Sequence, residues 1–353
     1  MKDKIYITEI CAMSPGGNSI EEIYYEEFVY NKKEYKKINY IDNFNFYKQG
    51  YKMKTRIDKS SQLCIHLSML LLGNGKYNEN SESGLITISK FGCQKSKKLY
   101  FDQLTYLESK QFASPKDFIQ SICNIPNSLA TIECNIKGFS NHYVGDADAS
   151  IVGLWQATYC LKNKIVDKMA IVSFDSFEEN LIRNYVSNDL SNFKFCESVA
   201  GVRIEKESVD TKKQFKILGF GFATNESLDK AIYEAVNKAL EDSGIGVEKV
   251  DFVINNIDLN FKLRESMENI LEDCIYHSIP IMMFKPYIGE YFASTPFLEL
   301  GIIKCLTNLK VPDNLYLNKT RKDDFFIRFQ SIFLLLTLGE NGIVNVICLQ
   351  NCN

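Results

Sequence analysis

Ser114-Pro-Lys-Asp-Phe118, Asn124-Ile-Pro-Asn127, Ile136-Lys-Gly-Phe139 and Met169-Ala-Ile-Val-Ser-Phe174 follow one another in a single ordered run. Between the third and fourth lie a loop and a segment of helical period, so the run reads as loop, helix and strand. Working outward, apolar runs of strand character recur at Ile5-Tyr-Ile-Thr-Glu-Ile10, Gly84-Leu-Ile-Thr-Ile-Ser89 and Phe215-Lys-Ile-Leu-Gly-Phe220, separated by amphipathic segments. Strands alternating with helices predict an α/β protein.

Ala231, Ala235 and Ala239 recur every fourth residue beside Ile232, Val236 and Leu240, which predicts a helix with a closely packing small face. Asn225 or Ser227 can cap its start, Ser243-Gly244 ends it, and Val250-Asp-Phe-Val-Ile254 follows as a strand. Leu63–Leu72, a polar loop and the strand at Gly84 form a comparable unit earlier in the chain. The polar stretch Glu205 to Lys213 separates two halves of similar plan, 1–207 and 208–353. Near the end, Ile332–Leu338 and Ile343–Leu349 flank Gly339-Glu-Asn-Gly342, which is a hairpin signal.

The 353 residues are 45% hydrophobic and 24% charged, the composition of a globular protein with a large core. A formal charge of -3 with dispersed basic residues argues against nucleic-acid binding. The short run Lys95-Ser-Lys-Lys98 is either a solvated face or a small patch for an acidic carrier protein. Eleven cysteines, odd in number and without a Cys-x-x-Cys pair, fit a reducing cytoplasm. The start shows no signal-peptide pattern, and no apolar stretch reaches the roughly 20 residues of a membrane span. Three scattered histidines and Gly219-Phe-Gly221, which lacks dinucleotide-loop spacing, imply neither metal nor cofactor.

In order and spacing, the segments from Ser114 to Phe174 resemble the Ser-Pro-x-x-Phe, Asn-x-Pro and Leu-x-Gly-Pro elements of the β-ketoacyl synthase family. Glu197-Ser-Val-Ala-Gly-Val-Arg-Ile204 and Phe284-Lys-Pro-Tyr-Ile-Gly289 extend the resemblance over most of the chain, with no single motif intact. The resemblance implies a thiolase-like fold of two similar α/β halves in five layers, α-β-α-β-α. Ketosynthases hold a nucleophilic cysteine at the N-terminus of a buried helix, where the helix dipole favours the thiolate. Counting from Gly138 places Ala147 there, within Gly145-Asp-Ala-Asp148, and Cys134 and Cys160 each lie 13 positions away.

The family's two histidines, which support the developing enolate, fall at Asn256 and Glu290, while Lys285 and Gly289 are retained. An ionised glutamate repels an enolate. Thr337 takes the place of the gating phenylalanine of the terminal glycine-rich loop. Loss at every catalytic position resembles a chain length factor, the non-catalytic subunit that closes the acyl tunnel beside an active ketosynthase, with the growing chain on an acyl carrier protein. The resemblance offers polyketide, polyene and fatty-acid-like elongation without choosing among them.

Each singled-out residue also has a plainer reading. Asp146 and Asp148 are either helix caps or a paired-carboxylate acid/base site. Lys285 with Glu290 is either an internal ion pair or a new catalytic pair. Tyr100, Tyr106, Phe112 and Phe118 either set the tunnel's length at the interface or simply pack the core. Two rivals stand beside the subunit reading: a stand-alone decarboxylase or acyl-transfer enzyme using Asp146, Asn256 or Lys285, and a carrier-binding homodimeric scaffold.

Overall fold

A computed structural model describes residues 4–30, 38–53, 55–73, 82–106, 113–178, 194–207, 213–257, 279–316, 324–339 and 342–353. The first run of elements is β1 (Ile5–Met13), α1 (Ile20–Tyr24), β2 (Ile38–Asn39), α2 (Lys59–Leu72), β3 (Ser83–Ser89), α3 (Gln94–Tyr106), α4 (Pro115–Ser121), α5 (Ile125–Glu133), β4 (Ser140–Val144), α6 (Ala147–Lys162), β5 (Lys168–Asp175), β6 (Phe195–Cys196) and β7 (Ser198–Lys206). The second is β8 (Phe215–Ala223), α7 (Leu228–Ser243), β9 (Phe252–Asn256), β10 (Ile281–Met282), α8 (Lys285–Ile288), α9 (Thr295–Leu306), β11 (Ile332–Leu338) and β12 (Val344–Asn351).

Ten strands form one sheet in the order β10-β9-β11-β12-β8-β1-β7-β5-β3-β4. Numbered within its own run, each set of five has the order third, second, fourth, fifth, first. In both sets the first three of these are mutually parallel and the last two antiparallel. The two first strands, β1 and β8, meet antiparallel through Ile5–Ile217, Tyr6–Lys216 and Ile7–Phe215. A separate parallel pair joins β2 to β6.

The side-chain period of two divides each buried strand between two cores. On β11, Phe333 and Leu335 enter a central cluster with Ile151 and Leu154 of α6 and Phe297 and Leu298 of α9. Leu334 and Leu336 face the opposite way, toward Ala231, Ala235 and Val236 of α7. On β5, Met169 and Ile171 point into the central cluster while Ala170, Val172 and Phe174 pack with Leu63, Leu67 and Leu71 of α2. Helices α6 and α9 therefore lie between the two five-stranded sets, with α2 outside one and α7 outside the other. The fold is α/β and thiolase-like.

Local chemistry explains the segments that open the sequence analysis. Ser114 is the N-cap of α4, accepting from the Asp117 amide at 3.2 Å, with Pro115 in the first turn. Asn124 and Pro126 open α5 in the same way, though without a side-chain cap bond. Gly138 passes so close to β3 that a Cβ would lie 2.5 Å from the Ser83 carbonyl oxygen.

Three expectations shift. The strand placed at Val250–Ile254 runs Phe252–Asn256, because Val247–Lys249 forms a 3₁₀ turn and Asp251 uses its carboxylate to accept the Ile332 amide at 2.7 Å. The polar stretch from Glu205 begins inside β7, whose ladder reaches Lys206, and its residues 208–212 lie outside the described residues. Ser227 occupies the N-cap position of α7 without bonding through its side chain, and Asn225 serves the neighbouring Glu226 amide at 2.8 Å. The hairpin expected near the end is the antiparallel pair β11–β12, of whose turn residues 340–341 lie outside the described residues.

Gly221 meets α7 with a Cβ position 1.9 Å from the Ala235 carbonyl oxygen, so β8 and α7 touch backbone to backbone. Gly221→Ala forces this contact apart and is expected to destabilise the fold by about 1–3 kcal/mol. Chemical denaturation of the two proteins measures the difference.

Candidate functional site

Ala147 is the first residue of α6 and 3% exposed. The four leading amides of a helix lack intrahelical partners, and Asp146 covers one of them, its Oδ1 accepting from the Ala147 amide at 2.8 Å. The other carboxylate oxygen pairs with Lys90 Nζ at 2.6 Å. Burial pushes the Asp148 carboxyl up, with the Asp146 charge acting in the same direction. A Cβ on Gly339 would lie 2.4 Å from Asp148 Oδ2, so this glycine at the end of β11 closes over the acid.

Asn256, Thr337 and Asn345 stand opposite one another on β9, β11 and β12. They share the register parity of Ile254, Leu335 and Ile347, and so face the central layer. Asn345 donates to the Asp148 carbonyl at 3.2 Å, which ties the row to the first turn of α6. Both amide atoms of Asn256 and Thr337 Oγ1 are buried with no hydrogen-bond partner among the described residues.

Lys285 and Glu290 form an ion pair of 2.8 Å with side chains 6% and 5% exposed. Glu290 Oε1 accepts the Phe292 amide at 2.8 Å and the Thr295 hydroxyl at 3.4 Å. A third ionisable group joins them from α9. Glu299 is fully buried, and desolvation pushes its carboxyl up to about 8, with Lys285 pulling down and Glu290 pushing up. Both Glu299 oxygens are buried with no hydrogen-bond partner among the described residues, so burial is the main cause that favours its neutral form.

The structure brings Ala147, Asp146, Asp148, Asn256 and Thr337 to one end of the central layer, with Lys285 and Glu290 at the entry to α9. Tyr100 and Phe118 meet as tilted rings 5.3 Å apart between α3 and α4, where Phe118 is half exposed. Tyr106 ends α3, and Phe112 lies outside the described residues, as does His277. His142 bonds Thr87 at 2.8 Å and burial lowers it to about 4, so it stays neutral; His66 pairs with Tyr51 and is likewise lowered to about 4.

Sequence reasoning missed Lys90, Glu299 and Asn345. A lone acid inside Phe297-Leu-Glu-Leu-Gly-Ile-Ile303 was the available signal for Glu299. Two open clefts, of about 560 and 1090 Å³, lie beside Val247 and Phe325 and beside Phe44 and Leu99; none of Ala147, Asn256, Lys285, Glu290 or Thr337 lines either.

Among the described residues no cysteine stands at the start of α6. Cys160 sits on α6 itself, about 20 Å along its axis from Ala147 at 1.5 Å per residue. Cys134 follows α5 with its thiol pushed up by burial, to about 12. Among the described residues no group of three or more His, Cys, Asp or Glu could hold a metal, and no helix is long and apolar enough to cross a membrane.

No protein-family model and no curated protein matches the chain. Solved structures do match over its whole length. A β-ketoacyl synthase from Burkholderia phymatum superposes with a TM-score of 0.79 at 13% identity, covering 99% of this chain and 100% of its own. The ishigamide ketosynthase/chain length factor gives 0.76 at 13% identity, covering 99% and 100%. The ketosynthase ApeO in complex with its chain length factor ApeC, from Xenorhabdus doucetiae, gives 0.75 at 11% identity, covering 99% and 98%. At these identities the likeness is one of fold.

Because Glu299 is raised from an ordinary 4.5 to about 8, the folded state keeps a proton that the unfolded chain releases between these values. Its contribution to stability is complete below pH 4.5 and is lost as pH rises through 8. Denaturation midpoints are expected to fall across that window, and Glu299→Gln to flatten the dependence. Lys285→Met leaves the buried Glu290 carboxylate without its cation and is expected to cost about 3–5 kcal/mol.

Proposed function

We infer that this chain is a non-catalytic, ketosynthase-like subunit that pairs with an active ketosynthase and forms part of the wall of its acyl tunnel during polyketide, polyene or fatty-acid-like elongation. The observation that carries this reading is Ala147 in the first turn of α6, where a ketosynthase holds its cysteine. The amide there is occupied by the Asp146 carboxylate. Negative charge next to that position disfavours a thiolate, and Glu290 in place of a histidine disfavours an enolate, so both half-reactions have lost their electrostatic support.

Pairing is supported by the free edge of the sheet. β4 is the last strand in the order, and no described strand bonds its outer side. An exposed strand edge is a template for a second chain unless it is blunted. Val144 at its end is 64% exposed, and Trp155 and Tyr159 project from α6, whose Gln156 bonds Tyr143 of β4 at 2.7 Å. Unpaired backbone beside exposed aromatic rings is the composition of a protein interface.

The 1090 Å³ cleft between α2, α3 and α4 is the place where a carrier protein would dock. It is lined by Arg56, Lys59, Lys95 and Lys116 together with Asp42, Asp58 and Asp117, above apolar Phe44 and Leu99. Mixed charge on its rim sets the register of a partner, and apolar walls reward docking.

Co-expression with an active ketosynthase is expected to yield a stable complex in which malonyl condensation depends on the partner's cysteine alone. Val144→Asp and Trp155→Glu are expected to weaken co-purification by about a hundredfold, the loss typical of interface hot spots. Turnover of malonyl thioester by this chain purified alone overturns the reading.

A further inference from the structure

We propose that the space in front of Ala147 is filled by an aromatic plug centred on Phe292, so that this subunit excludes an acyl chain from its own former pocket and leaves the chain wholly to the partner. The proposal deepens the subunit reading by naming what this pocket does; its geometry stands without that reading.

Phe292 is 2% exposed, and three other rings close on it: Phe91 at 4.8 Å and Phe177 at 5.6 Å edge-on, and Phe195 stacked at 5.8 Å. These residues form their own cluster, separate from the cores that hold the sheets. Ile38 and Tyr40 pack against this cluster from the side of the β2–β6 pair. On its other side Phe91 and Phe292 meet the start of α6 through Lys90. Lys90 Nζ, bound to Asp146 at 2.6 Å, stands 5.1 Å from the Phe292 ring centroid and 5.8 Å from that of Phe91. One ammonium thus joins the helix cap to the plug by an ion pair on one side and ring contacts on the other.

The backbone of the plug is held from both directions. Phe292 has φ 49°, a left-handed conformation that a bulky residue rarely adopts and keeps only when its surroundings enforce it. Glu290 supplies one restraint by accepting the Phe292 amide at 2.8 Å, and Glu290 is itself fixed by Lys285. The first turn of α6 supplies the other, with Ser150 Oγ donating to the Ala293 carbonyl at 2.5 Å. Ser294 Oγ adds a bond to the Ser173 carbonyl at 3.0 Å. The Lys285–Glu290 pair is therefore a positioning device: glutamate at this position accepts the amide of a strained residue, and that bond aims the ring at the helix start.

A thiol introduced at position 147 reports whether the plug closes the site. In Ala147→Cys, labelling of residue 147 by an N-alkylmaleimide with an eight-carbon chain, read from the mass of the peptide that contains it, is expected to be about a hundredfold slower than in the same protein unfolded in denaturant, since access limits thiol reactivity. Adding Phe292→Gly, which removes the ring and suits the left-handed backbone, is expected to raise the rate at least about tenfold. Phe91→Ala with Ala147→Cys opens the same space from the opposite wall and provides the comparison if the glycine variant does not fold. Fast labelling of Ala147→Cys with the plug intact overturns the proposal. Equally slow labelling in a folded double variant overturns it too. Failure to pair with a ketosynthase, by contrast, counts against the subunit reading and leaves the labelling result intact.

Discussion

The burial of both five-stranded sets on both faces is the constraint from which the rest follows. A strand such as β11 gives alternate residues to two different cores, so it must be apolar at nearly every position, and the helices on its two sides must differ. On the outside, α7 buries one stripe, with Ala231, Ala235 and Ala239 on it, whereas α2 is buried on most of its length. In the central layer α9 is buried nearly all round, and α6 leaves only the side that carries Trp155 and Tyr159 exposed. A buried helix face tolerates an ionisable group at a helix end or in neutral form. Asp146 and Asp148 at the start of α6 meet the first condition, and Glu299, raised by burial, meets the second.

Much of this was legible in the sequence, for a physical reason. Strands buried on both faces read as apolar runs, and the Ala231-Ala235-Ala239 face announced a close helix contact that Gly221 completes on β8. The segments with Ser114, Asn124 and Gly138 act locally, as a cap, as a helix start and as a close backbone approach, so their spacing can be read without knowledge of distant partners. The position of Ala147 at the start of α6 and the pairing of Lys285 with Glu290 follow from the same short-range spacing.

The remainder depends on contacts between distant residues, which carry no local signal. Glu299 reads as one acid in an apolar helix until Lys285 is placed beside it. Phe91, Phe177, Phe195 and Phe292 are ordinary aromatics in a chain with 24 phenylalanines, and only the fold assembles them. The shared strand order of the two halves was invisible for another reason. Topology constrains which strands are neighbours and which faces are apolar, and many side chains satisfy both conditions. Tyr100 and Phe118, expected at a tunnel interface or in the core, meet between α3 and α4, and Phe118 is half exposed there.

The central place of β1 has a consequence for the order in which the molecule can be made. This strand precedes the others in chain order, yet its ladder partners are β7 and β8, with Ile5 opposite both Lys206 and Ile217. A long stretch of chain must follow β1 out of the ribosome before either of its edges can be satisfied. Until then an apolar nine-residue segment waits in the nascent chain with its hydrogen-bonding groups open. Contacts of such long sequence separation slow folding and prolong exposure to aggregation. The junction that unites the two halves is therefore also the step at which biogenesis depends most on protection of the unpaired β1.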